Sequence, residues 1–266
     1  MKHYHKMYQG WEIPTGHWMI DEVLKGGDRA HGGPTPPGRC RRPLTWQFLR
    51  EGRQAVCESE EEGAVVWAGL ALSFFLLCRA SELFAYDDTK LVHPEFCLTR
   101  RDLTFREGSL TLSWQDRERA DRVEITFRAS TADQTRRGAT ITRTRLSTSH
   151  EAGSGGQVGA VEIILELLRR HPSLPMDAPL TTRVVEERAV STTRARATAA
   201  LRLMVASAGG GEDPRLYALH SGRIGGATQL AAQGATQTQI QKAGRWESDS
   251  YFVYIQTRGE GAAFVL

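Results

Sequence analysis

The chain has 266 residues, of which 40% are hydrophobic and 24% charged, and its formal net charge is +3 at pH 7. These values are typical of a globular protein with a sizeable core, and they exclude a wholly disordered or fibrous chain. The longest apolar run, Ala64 to Cys78, is shorter than the roughly 20 residues that a membrane-spanning helix needs. No apolar stretch follows the first six residues, so we expect an intracellular protein without a secretory signal or membrane partner.

Most of the positive charges are arginines, whose planar and permanently charged guanidinium suits phosphate binding, although a GC-rich genome would give the same bias. The four cysteines, Cys40, Cys57, Cys78 and Cys97, are far apart and form no C-x-x-C pair. This spacing favours reduced structural thiols over a zinc site or a disulfide.

The N-terminal part of the chain contains a Gly/Pro-rich stretch, Gly26 to Gly38, that we interpret as a linker. After it, a helical pattern runs from Pro43 to about Cys57. The segment from Gly63 to Cys78 is hydrophobic nearly all round, which predicts a helix in the centre of the core. Ser81 to Tyr86 continues as a short helix or turn.

The periodicity then changes from helical to alternating. Apolar and polar residues alternate in the segments 103–105, 109–114 and 122–127, and Glu107-Gly108 is a plausible tight turn. These features predict a small antiparallel sheet of about three strands, with its last turn near residues 131–138.

The last third of the chain has helical patterns, which lie at Gly159–Arg170, Ser191–Ala208, Tyr217–Gly234, Gln237–Ala243 and Ser248–Thr257. The order is therefore helices, a small sheet and helices again. We predict a mixed α+β fold that is mainly helical.

Two clusters of polar residues lie in or next to predicted helices. Arg79 ends the apolar helix, where an arginine is costly unless it reaches solvent or an anion, and an ion pair with Glu82 is the simplest explanation. His220 and Arg223 are three residues apart and share one face of a helix. By itself, each cluster is weak evidence for a functional site.

Two further clusters contain aromatic residues near the C-terminus. The first is Gly244-Arg245-Trp246, and the second runs from Tyr251 to Ile255, so that Tyr254 follows Trp246 by eight residues. Aromatic residues at such spacing usually belong to a core. The order and spacing of all four clusters together favour a functional site.

This combination resembles the tyrosine recombinase (phage integrase) family, over roughly Leu44 to Thr257. The family's motifs correspond to R-x-S-E-L, H-S-x-R-I-G, G-R-W and Y-I-Q, which contain Arg79 with Glu82, His220 with Arg223, Trp246, and Tyr254. The motif sequences R-I-G, G-R-W and Y-x-x-Y-I most resemble those of recombinases of eukaryotic mobile elements, such as DIRS-like retroelements and Cryptons. The resemblance implies a tyrosine recombinase catalytic-domain fold.

The resemblance also implies a chemistry. Arginine guanidiniums stabilise the charge that gathers on a DNA phosphate, while Tyr254 attacks it to give a 3'-phosphotyrosine and a free 5'-hydroxyl. His220 assists proton transfer and Trp246 supports the phosphate pocket. The covalent link conserves the bond energy, so strand cleavage and rejoining need no metal, ATP or other cofactor. Tyr251, one turn earlier, is a rival nucleophile.

One expected residue differs from the family. The segment Arg128 to Gln134 resembles the family's S-K-x-D-Q, with Thr131 in the place of the catalytic lysine that acts as general acid. A neutral hydroxyl is a poor acid for the leaving oxygen, and general acid catalysis contributes about 10²–10⁴-fold. Cleavage is therefore expected to be slow rather than absent.

The resemblance divides the chain into residues 1–42, a truncated remnant of the family's core-binding domain with a linker, and residues 43–266, the catalytic domain. It implies double-stranded DNA as partner, a homotetramer on DNA, and a nuclear location if the source is eukaryotic. Two alternatives stay open: a catalytically impaired DNA-binding descendant, and a nicking-closing enzyme like the type IB topoisomerases.

Overall fold

The computed structural model describes residues 41–56, 60–86, 96–129, 138–145, 158–246 and 249–255. Within these ranges the α-helices are α1 (Trp46–Glu51), α2 (Arg53–Val56), α3 (Glu60–Phe75), α4 (Ala80–Leu83), α5 (Ala160–Arg170), α6 (Arg194–Ser207), α7 (His220–Ala232) and α8 (Gln237–Gly244). The strands are β1 (Leu103–Glu107), β2 (Leu110–Thr111), β3 (Arg122–Phe127), β4 (Ala139–Thr144), β5 (Thr182–Val185) and β6 (Arg188–Ser191). Short 3-10 helices lie at Arg100–Asp102, Arg117–Arg119, Pro214–Leu216 and Asp249–Tyr254.

Helix α3 is the centre of the core, as its composition predicts. It packs against α5, α6 and α7, and Leu70, Ala71 and Leu72 are all almost fully buried. A helix surrounded in this way needs no polar face, which explains why it is apolar nearly all round. It ends at Phe75 rather than Cys78.

The helix predicted from Pro43 to Cys57 is two shorter helices in the structure. Thr45 caps α1, where its hydroxyl accepts a hydrogen bond from the backbone N–H of Phe48. The chain then bends at Gly52, where a Cβ would lie 2.6 Å from the Cβ of Met204. The close approach of α6 therefore separates α1 from α2, and Cys57 lies outside the described residues.

The central sheet is antiparallel, with four described strands in the order β2-β1-β3-β4. The prediction of three strands was one too few, and β2 is shorter than predicted. The burial of β4 residues alternates, but only Ile141 is fully buried, so its sequence A-T-I-T-R-T has one large apolar side chain by which to recognise the strand. The segment between β3 and β4 that contains Thr131 lies outside the described residues.

A second hairpin, formed by β5 and β6, is absent from the sequence prediction. Its turn residues Glu186 and Glu187 both have positive φ, 48° and 63°. Such turns usually carry Asn or Gly, and the strands are largely exposed, so neither turn residues nor alternation identified the hairpin. The helix predicted from Ser191 begins at Arg194, because Ser191 is the last residue of strand β6.

The C-terminal elements pack on the end of α3. Helix α7 contacts α3, and the 3-10 helix Asp249–Tyr254 contacts both α7 and α8. This last segment was predicted as a longer helix. The fold is thus α+β and mainly helical with a small antiparallel sheet, as predicted. In the part of the chain that the structure describes, none of the helices has the length and apolar character to cross a membrane.

Candidate active site

Six of the predicted site residues come together where the end of α3, α4, the start of α7 and the C-terminal end of α8 meet. They are Arg79, Glu82, His220, Arg223, Trp246 and Tyr254. These residues come from three separate parts of the sequence, and the packing of α7 on α3, with α8 and the last 3-10 helix on α7, brings them together. Thr131, the seventh predicted residue, lies outside the described residues.

Arg223 lies at the centre of the cluster and is 1% exposed. Its guanidinium donates to the carbonyl oxygens of Leu77 at 2.6 Å and Gly244 at 2.7 Å. The guanidinium carbon also lies 4.2 Å from the centre of the Trp246 ring and 5.6 Å from that of Tyr254, both within cation–π range. Arg223 is therefore held by the main chain on one side and by aromatic rings on the other.

Arg79 is held by a buried carboxylate. It is the residue before α4, and the side chain of Glu82 accepts hydrogen bonds from its guanidinium at 3.2 Å and from its backbone N–H at 2.8 Å. Glu82 is fully buried and also accepts a 2.6 Å hydrogen bond from Arg245. The predicted ion pair is present, but its carboxylate is in the interior rather than at the surface.

His220 is the first residue of α7, and its ring centre lies 5.0 Å from that of Tyr254. Partial desolvation of the ring, followed by the charges of Arg223 and Arg79, lowers the pKa of His220 from 6.5 to about 4. The residue nevertheless remains exposed to solvent. At neutral pH this imidazole is uncharged and able to accept a proton.

The two tyrosines of the last segment have different environments. Tyr251 is fully buried and stacks on Phe252 with ring centres 4.3 Å apart. Tyr254 is partly exposed, and its ring lies 5.0 Å from that of Trp246. Thr228 donates a hydrogen bond to the Tyr254 carbonyl at 3.2 Å, which fixes this residue against α7. Of the two, only Tyr254 borders the arginine cluster and solvent.

Positive charge exceeds negative charge in the cluster. Arg79 and Arg245 donate to the carboxylate of Glu82, and Arg223 lies close enough for the charge of Glu82 to act on it. Burial, followed by the charges of Arg79 and Arg245, lowers the pKa of Arg223 to about 10. An anion such as phosphate would relieve this repulsion, so the arrangement favours anion binding.

Two cysteines near the site are structural. Cys78 and Cys97 are buried free thiols, in agreement with the prediction, and Cys40 and Cys57 lie outside the described residues. Burial raises the pKa of the Cys78 thiol far above its ordinary value and raises that of Cys97 to about 12. Neither is a nucleophile at neutral pH.

Arg245 is a site residue that the sequence analysis quoted but gave no role. It contacts Glu82 and the carbonyl of Leu76, and its guanidinium carbon lies 3.4 Å from the centre of the Phe127 ring. The signal that could have identified it is its place directly after α8, where the chain turns with positive φ and glycine is usual.

Comparison with solved structures finds similarity to the XerH site-specific recombinase. Against the crystal structure of XerH bound to palindromic difH substrate in a post-cleavage complex, identity is 13% and TM-score 0.51, over 84% of this chain and 51% of that chain. Against XerH bound to difH substrate in a pre-cleavage complex, identity is again 13% and TM-score 0.51, over 95% and 65%. XerA recombinase gives 13% identity and TM-score 0.49, over 97% and 76%.

The likeness to the two XerH structures concerns the fold, which is that of the tyrosine recombinase catalytic domain. The matched part corresponds to about half of the XerH chain in the post-cleavage complex and 65% of it in the pre-cleavage complex. No protein-family model matches the sequence. A search of curated proteins also finds no match.

Proposed function

We propose that this chain cleaves and rejoins DNA strands site-specifically through a covalent 3'-phosphotyrosine on Tyr254. The observation that carries the proposal is the convergence of two guanidiniums, an uncharged imidazole and a partly exposed phenol in one cluster with an excess of positive charge. That set matches what attack on a phosphodiester requires: charge stabilisation, a proton acceptor and a nucleophile.

In the proposed step, the Tyr254 oxygen attacks phosphorus as the bond from phosphorus to the 5'-oxygen breaks. The phenolic proton passes to His220, whose imidazole is uncharged at neutral pH, and the phosphate favours this transfer by offsetting the charges of Arg223 and Arg79 that lower the pKa of His220. Arg79 and Arg223 stabilise the negative charge on the non-bridging oxygens. The 5'-oxygen leaves as a hydroxyl after taking a proton, and attack by a second 5'-hydroxyl reverses the step.

The buried position of Arg223 is compatible with this role. Two of its terminal N–H groups donate to the carbonyls of Leu77 and Gly244. Each terminal nitrogen carries two hydrogens, so each retains a second donor for a phosphate oxygen. The main-chain contacts fix the plane of the guanidinium and therefore the direction of the remaining donors.

A second candidate function is a DNA-binding descendant with impaired cleavage. Thr131 in the place of the family's lysine favours it, because a threonine hydroxyl is a poor general acid. Among the described residues the single lysine is Lys242, which is exposed on α8. In this alternative the arginine pocket binds a DNA phosphate without breaking it.

We infer double-stranded DNA as the partner, by analogy with XerH bound to difH substrate. The motif wording further supports a mobile-element recombinase related to the DIRS-like and Crypton enzymes, which assembles as a homotetramer on DNA. In a eukaryotic host such an enzyme meets its DNA in the nucleus.

The test is incubation with a pool of nicked duplex suicide substrates of randomised sequence, followed by denaturing electrophoresis. We expect a covalent protein–DNA adduct from the wild type and from Tyr251→Phe, and none from Tyr254→Phe. An adduct that survives Tyr254→Phe would overturn the assignment. DNA binding without any adduct would favour the impaired descendant, and relaxation of any supercoiled plasmid would favour a topoisomerase.

A further inference from the structure

Arg245 is buried and contacts protein groups that also bind the two site arginines, Arg79 and Arg223. Its side chain is 7% exposed, and its guanidinium donates to Glu82 at 2.6 Å and to the Leu76 carbonyl at 3.1 Å. A longer contact of 3.5 Å reaches the carbonyl of Leu77, which also accepts from Arg223. Both terminal nitrogens of Arg245 therefore donate to protein groups.

The backbone of Arg245 is unusual for a residue with a side chain. It follows α8 with φ 57° and ψ 48°, the left-handed region in which glycine is favoured. The backbone N–H groups of Arg245 and Trp246 close the helix by donating to carbonyls of its last turn. Glycine would make the same turn with less strain, so the geometry of the turn does not explain an arginine here.

The contacts of the side chain do explain it. Glu82 accepts from Arg79 through both carboxylate oxygens, and Arg245 adds a hydrogen bond to one of them. The residue before Arg245, Gly244, accepts from Arg223 through its carbonyl oxygen. The end of α8 thus contacts both site arginines. The Arg245 side chain binds Glu82, which is the partner of Arg79, and the Gly244 carbonyl binds Arg223 directly.

We propose that Arg245 is a positioning residue that clamps Glu82 and so sets the geometry of Arg79 relative to Arg223. The inference rests on the proposed function, because the two arginines must bind one phosphate together. Without Arg245, buried Glu82 keeps Arg79 as its remaining cationic partner, and Arg79 is drawn toward it. Misplacement of a catalytic group by about 1 Å costs about 10²-fold in rate.

The principal variant is Arg245→Gly, because glycine accepts the left-handed backbone and only the side chain is lost. Lys242→Ala, which removes one exposed positive charge from the same helix, is the matched control. We expect Arg245→Gly to lower the single-turnover rate of adduct formation about 10- to 100-fold while DNA affinity stays within about threefold. We expect Lys242→Ala to keep the rate. A wild-type rate in Arg245→Gly, or a loss confined to DNA affinity, would overturn the proposal.

Two readouts separate positioning from a general effect on folding. Ethylguanidinium at millimolar concentration should restore part of the rate of Arg245→Gly, whereas sodium chloride at the same ionic strength should not. Combined with Glu82→Gln, the Arg245→Gly change should lower the rate less than twofold further, because its effect passes through Glu82. Fully additive losses would overturn the proposal.

If Arg245→Gly does not fold, Arg245→Lys keeps the charge but not the guanidinium fork, and we expect the same separation of rate from affinity. A wild type that forms no adduct would count against the proposed function. The positioning role is then tested with inorganic phosphate, measured by thermal shift. We expect about tenfold weaker phosphate binding in Arg245→Gly than in Lys242→Ala, and equal binding would overturn the proposal.

Discussion

Gly225 of α7 lies directly against the main chain of Leu44. A Cβ at Gly225 would lie 1.8 Å from the Leu44 carbonyl oxygen. The Leu44 backbone N–H also donates to the Ser221 carbonyl at 2.9 Å. These contacts hold the first turns of α7, with His220 and Arg223, against the chain just before α1. The absence of a side chain at Gly225 allows this close approach and so fixes the position of both site residues.

Substitution of Gly225 by alanine should therefore destabilise the protein. The new methyl group meets backbone, which cannot rotate away, and overpacking of this kind costs about 1–3 kcal/mol. Gly210→Ala is the control, because the atom nearest to a Cβ there is the Glu212 Cγ, at 3.9 Å, and Gly210 does not have a positive φ. Urea unfolding should show a lower midpoint for Gly225→Ala alone, and equal midpoints for both variants would contradict the packing described here.

His220 should make stability depend on pH. Its pKa is about 4 in the folded chain against an ordinary 6.5, so between these values the unfolded chain binds a proton that the folded chain does not. The folded state is then stabilised above pH 6.5 and loses this contribution as the pH falls toward 4. In the His220→Gln variant this position no longer titrates. Its free energy of unfolding should therefore fall less between pH 7 and pH 4.5 than that of the wild type.

The comparison uses urea unfolding of both proteins at each pH. His171, whose pKa is also lowered by burial, is common to both and cancels in the difference. Because His220 is exposed to solvent, the effect is reduced but keeps its sign. The same loss of stability in both proteins would show that His220 does not titrate as described.

DNA binding should weaken steeply with added salt. If the cluster around Arg79 and Arg223 binds DNA phosphates as proposed, counterions are released, and a protein that contacts six phosphates loses about 10³-fold in affinity between 50 and 200 mM salt. Fluorescence anisotropy with a labelled duplex measures this dependence. A flat response would contradict binding along a phosphate backbone.

Thr131→Lys should increase cleavage. If the resemblance to S-K-x-D-Q is correct, the new ammonium group supplies the general acid for the leaving 5'-oxygen, a contribution of about 10²–10⁴-fold. The rate of adduct formation on the suicide substrates measures the gain, and Thr131→Arg is the control because arginine keeps its proton. Equal rates in both variants would mean that position 131 does not serve this step.

The sequence alone predicted the fold class, because the local patterns that carry it are strong. The helix around Leu70 indicates burial by its continuous apolar run, and β3 indicates burial on one face by its alternation. The motifs also identified the residues that meet in the site, since their types and order are specific in combination. Weak patterns failed, as in β4 and the exposed β5–β6 hairpin, because few of their side chains are buried.

The tertiary structure decided what depends on contacts between distant parts of the chain. Tyr251 and Tyr254 lie one turn apart with similar neighbours in sequence, and only the packing on α7 buries the first and leaves the second beside Arg223. Arg245 meets Glu82 across 163 positions of sequence. Local sequence propensity contains no information on such pairs, because the two residues interact only after the chain has folded and buried them together.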